Sequence, residues 1–182
     1  MSRIIRRLVP LAVVAALLVL GTSAFAQKRK LGAPDTGPGT TTAARKFLEG
    51  RWSLMSFDVM PPGKPVVHVG GQGSLVYDAF GNLKSEVRVP PDVVDPLRLA
   101  GVPSDNGVLS SEGRVVVDMQ AHTLTYVLQG QQPLGPSSGP LSLARKRHWV
   151  VEGNVLTLTT NGNDGKPVSV AKWQKLVQPQ QQ

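Results

Sequence analysis

The sequence predicts an all-β domain, an antiparallel up-and-down barrel of about eight strands with one short N-terminal helix. Three observations carry this reading. Apolar and polar residues alternate with a period of two in one short block after another, as they do in half-buried strands. The blocks are joined in sequence by short turns rich in Gly and Asn, the pattern of hairpins laid side by side. The chain of 182 residues also contains 19 Gly and 15 Pro, too many for a helical bundle. A meander of that length has two edges to hide, and rolling into a barrel removes both.

Residues 1–26 read as an export signal rather than as part of the fold. Arg3, Arg6 and Arg7 precede an apolar run from Leu8 to Gly21, and Ala24-Phe25-Ala26 has the small-x-small form that signal peptidase cuts after. The run is shorter than the ~20 residues a stable membrane-crossing helix needs. Export to the periplasm or outside the cell is therefore expected, with cleavage near Ala26. Lys28, Arg29 and Lys30 follow the cut and hinder export, so an uncut, membrane-tethered form stays open. Removing three of the 20 Lys+Arg leaves 17 against 12 Asp+Glu, so the formal charge falls from +8 to +5. With no Cys there is no disulfide, no thiolate metal site and no cysteine nucleophile. Residues 27–43, rich in Gly, Pro and Thr, read as a flexible leader, and residues 178–182 as a polar tail. The folded domain is expected over residues 44–177.

Within it a short helix is expected from Thr42 to Glu49, capped by Thr42. Trp52 to Val59 supplies the first strand. Ser74 to Asp78 and Leu83 to Val89 pair around the turn ending in Gly81-Asn82; Leu83, Ser85, Val87 and Val89 share one face, and Lys84, Glu86 and Arg88 the other. Arg114 to Met119 and Thr123 to Gln129 form a second hairpin around His122. Arg147 to Glu152 and Val155 to Thr160 form a third around Gly153-Asn154, and Val168 to Leu176 closes the set. Two long loops interrupt this order, Met60 to Gly73 and Pro90 to Val108. Val93, Val94, Leu97 and Leu99 give the second an apolar face, suited either to a lid over the barrel mouth or to an Ω-loop sealing the core.

From Phe47 to Leu176 the chain resembles the bacterial lipocalin-like domain family. The likeness rests on the Gly50-Arg51-Trp52 start, then Gly73-Ser74-Leu75-Val76-Tyr77 with Gly81. It continues through Gly113-Arg114-Val115-Val116-Val117-Asp118, Thr123-Leu124-Thr125-Tyr126, Arg147-His148-Trp149, Gly153-Asn154 and Leu156-Thr157-Leu158, to the closing Trp173-Gln174-Lys175. Val115, Tyr126 and Lys175 stand where that family often has Tyr, His and Arg. The resemblance implies a structural pair at the closed end of the barrel, Lys175 stacked over the ring of Trp52. An ammonium stacks less well than a guanidinium, so this contact is weaker than the family's.

Alternation directs Leu54, Tyr77, Val87, Val117, Tyr126, Trp149, Leu158 and Trp173 inward. They form an apolar lining with two phenols, suited to a small hydrophobic or amphipathic ligand, or else an ordinary filled core. A single bulge would reverse every inward residue after it. Catalysis has little support. His68, His122 and His148 have no chelating spacing, and no metal or cofactor is expected. Asp118, His122 and Ser111 lack the strained turn that presents a nucleophilic serine, and Asp78 and Glu86 flank a turn as solvated charges. Arg145-Lys146-Arg147-His148 reads as a strand start in solvent rather than an anion site. Basic residues are scattered rather than striped, so nucleic acid is not a partner, while weak contact with an anionic envelope surface stays open. The expected role is non-catalytic ligand binding. Two alternatives stand beside it: a barrel-lumen enzyme in which Tyr77 or Tyr126 polarises a carbonyl, and a filled barrel acting through its surface in the envelope.

Overall fold

The structure, a computed structural model, describes residues 38–128 and 132–177. The expected signal peptide, most of the leader, Gln129 and the polar tail lie outside the described residues. Among those described, no helix is long and apolar enough to cross a membrane. The domain is a closed antiparallel barrel built from β1 (Gly50–Val59), β2 (Val67–Val69), β3 (Gln72–Tyr77), β4 (Asn82–Arg88), β5 (Val108–Asp118), β6 (Thr123–Tyr126), β7 (Arg147–Glu152), β8 (Val155–Asn161) and β9 (Pro167–Lys175). Each strand pairs with the next, except that β2 and β3 both pair with β1, and β1 closes the ring on β9. β2 and β3 are therefore one barrel strand broken at Gly70-Gly71, and the barrel has eight strands. His68, expected on a loop, lies in β2 opposite Asp58, and its Nδ1 is 2.8 Å from that carboxylate on the exposed face.

Helix α1 (Pro38–Leu48) precedes β1. It starts earlier than expected, so Thr42 lies inside the helix rather than at its cap, and the last residues assigned to the leader are helical. Ala44 and Leu48, one helical turn apart, are buried, which gives the helix its apolar stripe against the barrel. The segment Pro90 to Val108 is not a plain loop, and the expectation of a single helix is corrected here. It contains α2 (Pro91–Leu99), entered through Pro91 at the first helical position with Asp92 in the first turn and Arg98 in the last. The helix stops in a Schellman motif: the Gly101 N–H donates to Arg98 O and the Val102 N–H to Leu97 O, with Gly101 at φ +80°. Leu97 is fully buried and Leu99 is 64% exposed, so α2 packs beside β2 on one apolar edge.

The connections sort by barrel end. At the end where β1 starts, hairpins turn within residues 78–81, 119–122 and 153–154, and α1 packs there. At the other end lie residues 60–71 and 89–107, the short turn 162–166 between β8 and β9, and the described residues of the 127–146 connection. Beside this last connection the wall is thinnest, because β6 and β7 share only the registered pairs Thr123↔His148 and Leu124↔Arg147. Beyond Tyr126 the chain stays on the edge of β5: the Val127 N–H donates to Arg114 O, and Leu134 and Glu112 exchange backbone bonds of 2.7 Å.

Candidate functional site

The interior divides along the barrel axis into a packed half and a hollow half. In the packed half Trp52 is fully buried, and its indole Nε1 donates to Leu48 O at 3.0 Å, tying β1 to α1. Lys175, the registered partner of Trp52, sets Nζ 5.0 Å from its ring centroid. Gly50 makes room for this: a Cβ there would meet Lys175 Cε at 3.1 Å, and its φ of +135° is one that side chains rarely adopt. Trp149 is buried in the same half, stacked on His122 with centroids 4.5 Å apart.

The hollow half encloses a cavity of about 90 Å³. Phe57, Leu75, Leu83, Leu109, Leu158 and Trp173 give it an apolar wall, and Pro136 and Leu141 of the 127–146 connection complete it across the thin seam. Against this wall stands a polar set fixed by register. Arg147, Thr160 and Ser169 sit side by side on β7, β8 and β9, and Ser85 and Ser111 face each other on β4 and β5. Ser85 Oγ lies 2.8 Å from Ser111 Oγ, which lies 2.9 Å from the Tyr126 hydroxyl. In this row of three hydroxyls the donor direction can run either way, so Tyr126 can present an O–H or a lone pair to a guest. Burial pushes the Tyr126 pKa above its ordinary value, so the phenol stays protonated near neutrality.

Arg147 is the exceptional member. Its residue exposure is 9%, and its guanidinium stands 5.3 Å over the Tyr126 ring. Nη1 donates to Arg145 O, and Nη2 to Leu141 O and Ser142 O, all neutral carbonyls of the adjoining connection. Burial lowers its pKa, opposed only by the nearby Tyr126, yet an arginine does not shed its proton in a protein. The ion pairs among the described residues, His68–Asp58, Lys84–Glu112 and Arg98–Asp95, do not involve it.

Of the eight side chains expected to line a ligand site, Val87, Tyr126, Leu158 and Trp173 border the cavity. Leu54, Tyr77, Val117 and Trp149 do not. Tyr77, Val117 and Trp149 are buried and Leu54 is half-buried, all part of the packed interior rather than the cavity wall. Alternation tells inside from outside but says nothing of height along the axis. In β1 a bulge between Leu54 and Ser56 shifts the inward parity, so Phe57 enters the cavity where alternation from Trp52 would turn it out. The placement of Arg147 in solvent is also corrected: it shares the inward parity of Trp149, two residues on, and that signal was present in the sequence. The discounted triad is dispersed. Asp118 Oδ1 accepts the Gln120 and Ala121 N–H groups in a tight turn, His122 stacks on Trp149, and Ser111 belongs to the hydroxyl row. Asp78 likewise serves its turn, accepting from Phe80 and Asn82. No His, Asp or Glu is among the described residues that line the cavity. Searches against protein-family models and curated proteins find no match for the chain.

Proposed function

We propose that this protein is an exported, lipocalin-like carrier that holds a small hydrophobic or amphipathic molecule inside its barrel without transforming it. The observation that carries the reading is the cavity itself, one hollow with an apolar wall and a polar set confined to facing stretches of that wall. Such a division suits a guest with one polar group and a short apolar body. The volume, about 90 Å³, is below the ~150 Å³ of an engineered cavity that admits benzene. The guest is therefore short, or its tail displaces the 127–146 connection. The enzyme alternative needs a group to move a proton beside Tyr126, and the described lining offers Arg147 and hydroxyls for that task. The surface-module alternative draws on a different feature, an open groove between α2 and residues 61–68 lined by Val66, Val93 and Leu99.

Native mass spectrometry of the protein purified from its own compartment tests the reading. A retained small molecule is the expected result, and the polypeptide mass should correspond to a chain beginning at Gln27. A bare polypeptide mass, with no thermal shift across a panel of small lipids and metabolites, would overturn the carrier and favour the surface module.

A further inference from the structure

We propose that the cavity selects a carboxylate at the head of a short apolar chain, with Arg147 as the anchor for the anion and Tyr126 as the second polar contact. The inference rests on the carrier reading above and adds the chemical class of the guest.

Arg147 carries a buried charge with no counter-ion among the described residues. A guanidinium carries five N–H donors and a permanent positive charge. Three of those donors are engaged by Arg145 O, Leu141 O and Ser142 O, which fix the side chain while leaving its charge uncompensated. No ion pair among the described residues includes Arg147, and the group that faces it most directly is the neutral phenol ring of Tyr126. Holding a cation away from water without an anion is costly, and a guest anion removes that cost. The lining also holds a second unmatched donor. Trp173 borders the cavity and its buried Nε1 has no acceptor; in the packed half Trp52 donates to Leu48 O, while the buried Nε1 of Trp149 is unmatched as well. A guest with acceptor oxygens answers both the Arg147 charge and the Trp173 donor.

Charge and size narrow the class. One buried cation matches one negative charge, which a carboxylate carries at neutral pH and a fully ionised phosphate exceeds. The hydroxyl row can run from Ser85 through Ser111 to Tyr126, so that the phenol donates its O–H to a carboxylate oxygen without leaving any member unsatisfied. Phe57, Leu83 and Leu158 offer apolar surface, which suits a few methylene groups.

A matched pair of titration series on the full chain tests this. Straight-chain carboxylates of three to eight carbons and the primary alcohols of the same lengths are titrated at pH 7, followed by calorimetry and by tryptophan fluorescence, to which Trp173 reports from the wall. The wild type should bind each carboxylate at least tenfold more tightly than its alcohol. Arg147→Met should erase that preference by weakening carboxylates far more than alcohols, and Arg147→Lys should restore part of it. Tyr126→Phe should weaken carboxylates several-fold and leave alcohols nearly unchanged. A purely structural role for Arg147 in holding the 127–146 connection would weaken both series together, which would overturn the proposal. If alcohols match or exceed carboxylates in the wild type, the carboxylate claim falls and the carrier survives, whether or not the variants fold. If neither series binds, the carboxylate claim falls, and the panel above decides the carrier reading separately.

Discussion

Each end of the barrel places a cation over an aromatic ring, and the two pairs differ in what surrounds them. At the packed end Lys175 lies over Trp52 beside tight turns and α1, with its stem passing Gly50 and its residue only partly buried. At the hollow end Arg147 lies over Tyr126 in the interior, 9% exposed, held by neutral carbonyls. The lysine keeps access to water, so its charge asks nothing of the core. The arginine has no such access. The same contact is thus an element of packing at one end and an unbalanced charge at the other, and the unbalanced one lies where the wall between β6 and β7 is thinnest. There β6 and β7 share two registered pairs, and the interior beneath that seam is left open.

The contrast can be broken most sharply at Trp52. Cutting Trp52 to Ala should remove about 3–5 kcal/mol of stability, seen as a lower urea midpoint at unchanged slope. Guest affinity should persist wherever the variant is still folded; loss of affinity with full stability would invert the roles of the two ends. Arg147→Met should cost less, about 1–3 kcal/mol, since three carbonyls lose their donor while a buried charge is relieved. A cost equal to that of Trp52→Ala would make the hollow end as structural as the packed one.

Tyr126→Phe should cost about 0.5–1.5 kcal/mol through the lost bond to Ser111. It also has a pH signature. Because burial raises the folded-state pKa above 10.0, the unfolded chain releases this proton first. The contribution is whole below pH 10.0 and is lost as pH rises through the folded value, so alkaline denaturation curves should flatten in the Phe variant. The smallest effect belongs to the packed end. Partial burial alone would raise the Asp78 pKa, but hydrogen bonds from the backbone and side chain of Asn82 and from the Phe80 N–H outweigh it and hold the group below 3.8. Its stabilisation is present above that value and fades as pH falls through the lower folded value. Asp78→Asn should remove a shallow acid-side decline in melting temperature, and a steep decline that survives the substitution would place the acid sensitivity elsewhere.

The strands and hairpins were readable because their causes are local. Leu83, Ser85 and Val87 alternate with Lys84, Glu86 and Arg88 whatever the rest of the chain does, and Gly153-Asn154 makes its turn unaided. Helix α2 was hidden by its prolines, although Pro91 at the start, Gly101 past the end and the charges Asp92 and Arg98 are a helix's own punctuation. The polar half of the site was obscured by composition. A run of basic residues reads as solvent, and only the shared parity of Arg147 and Trp149 says otherwise. Phe57 escaped because the bulge before it leaves no mark in the alternation of its own strand.

Alternation and turn chemistry, both matters of adjacent residues, were enough to define an antiparallel meander and its order, while the long 127–146 connection between β6 and β7 went unread. Which inward residues share a hollow depended on pairings between segments far apart in the chain. Such pairings bring β1 onto β9 and set Arg147 beside Thr160 and Ser169. Register across distant strands sets height along the barrel axis, and height decides whether a buried cation meets packed side chains or open space. No stretch of sequence contains that quantity, because it arises only when the ring closes.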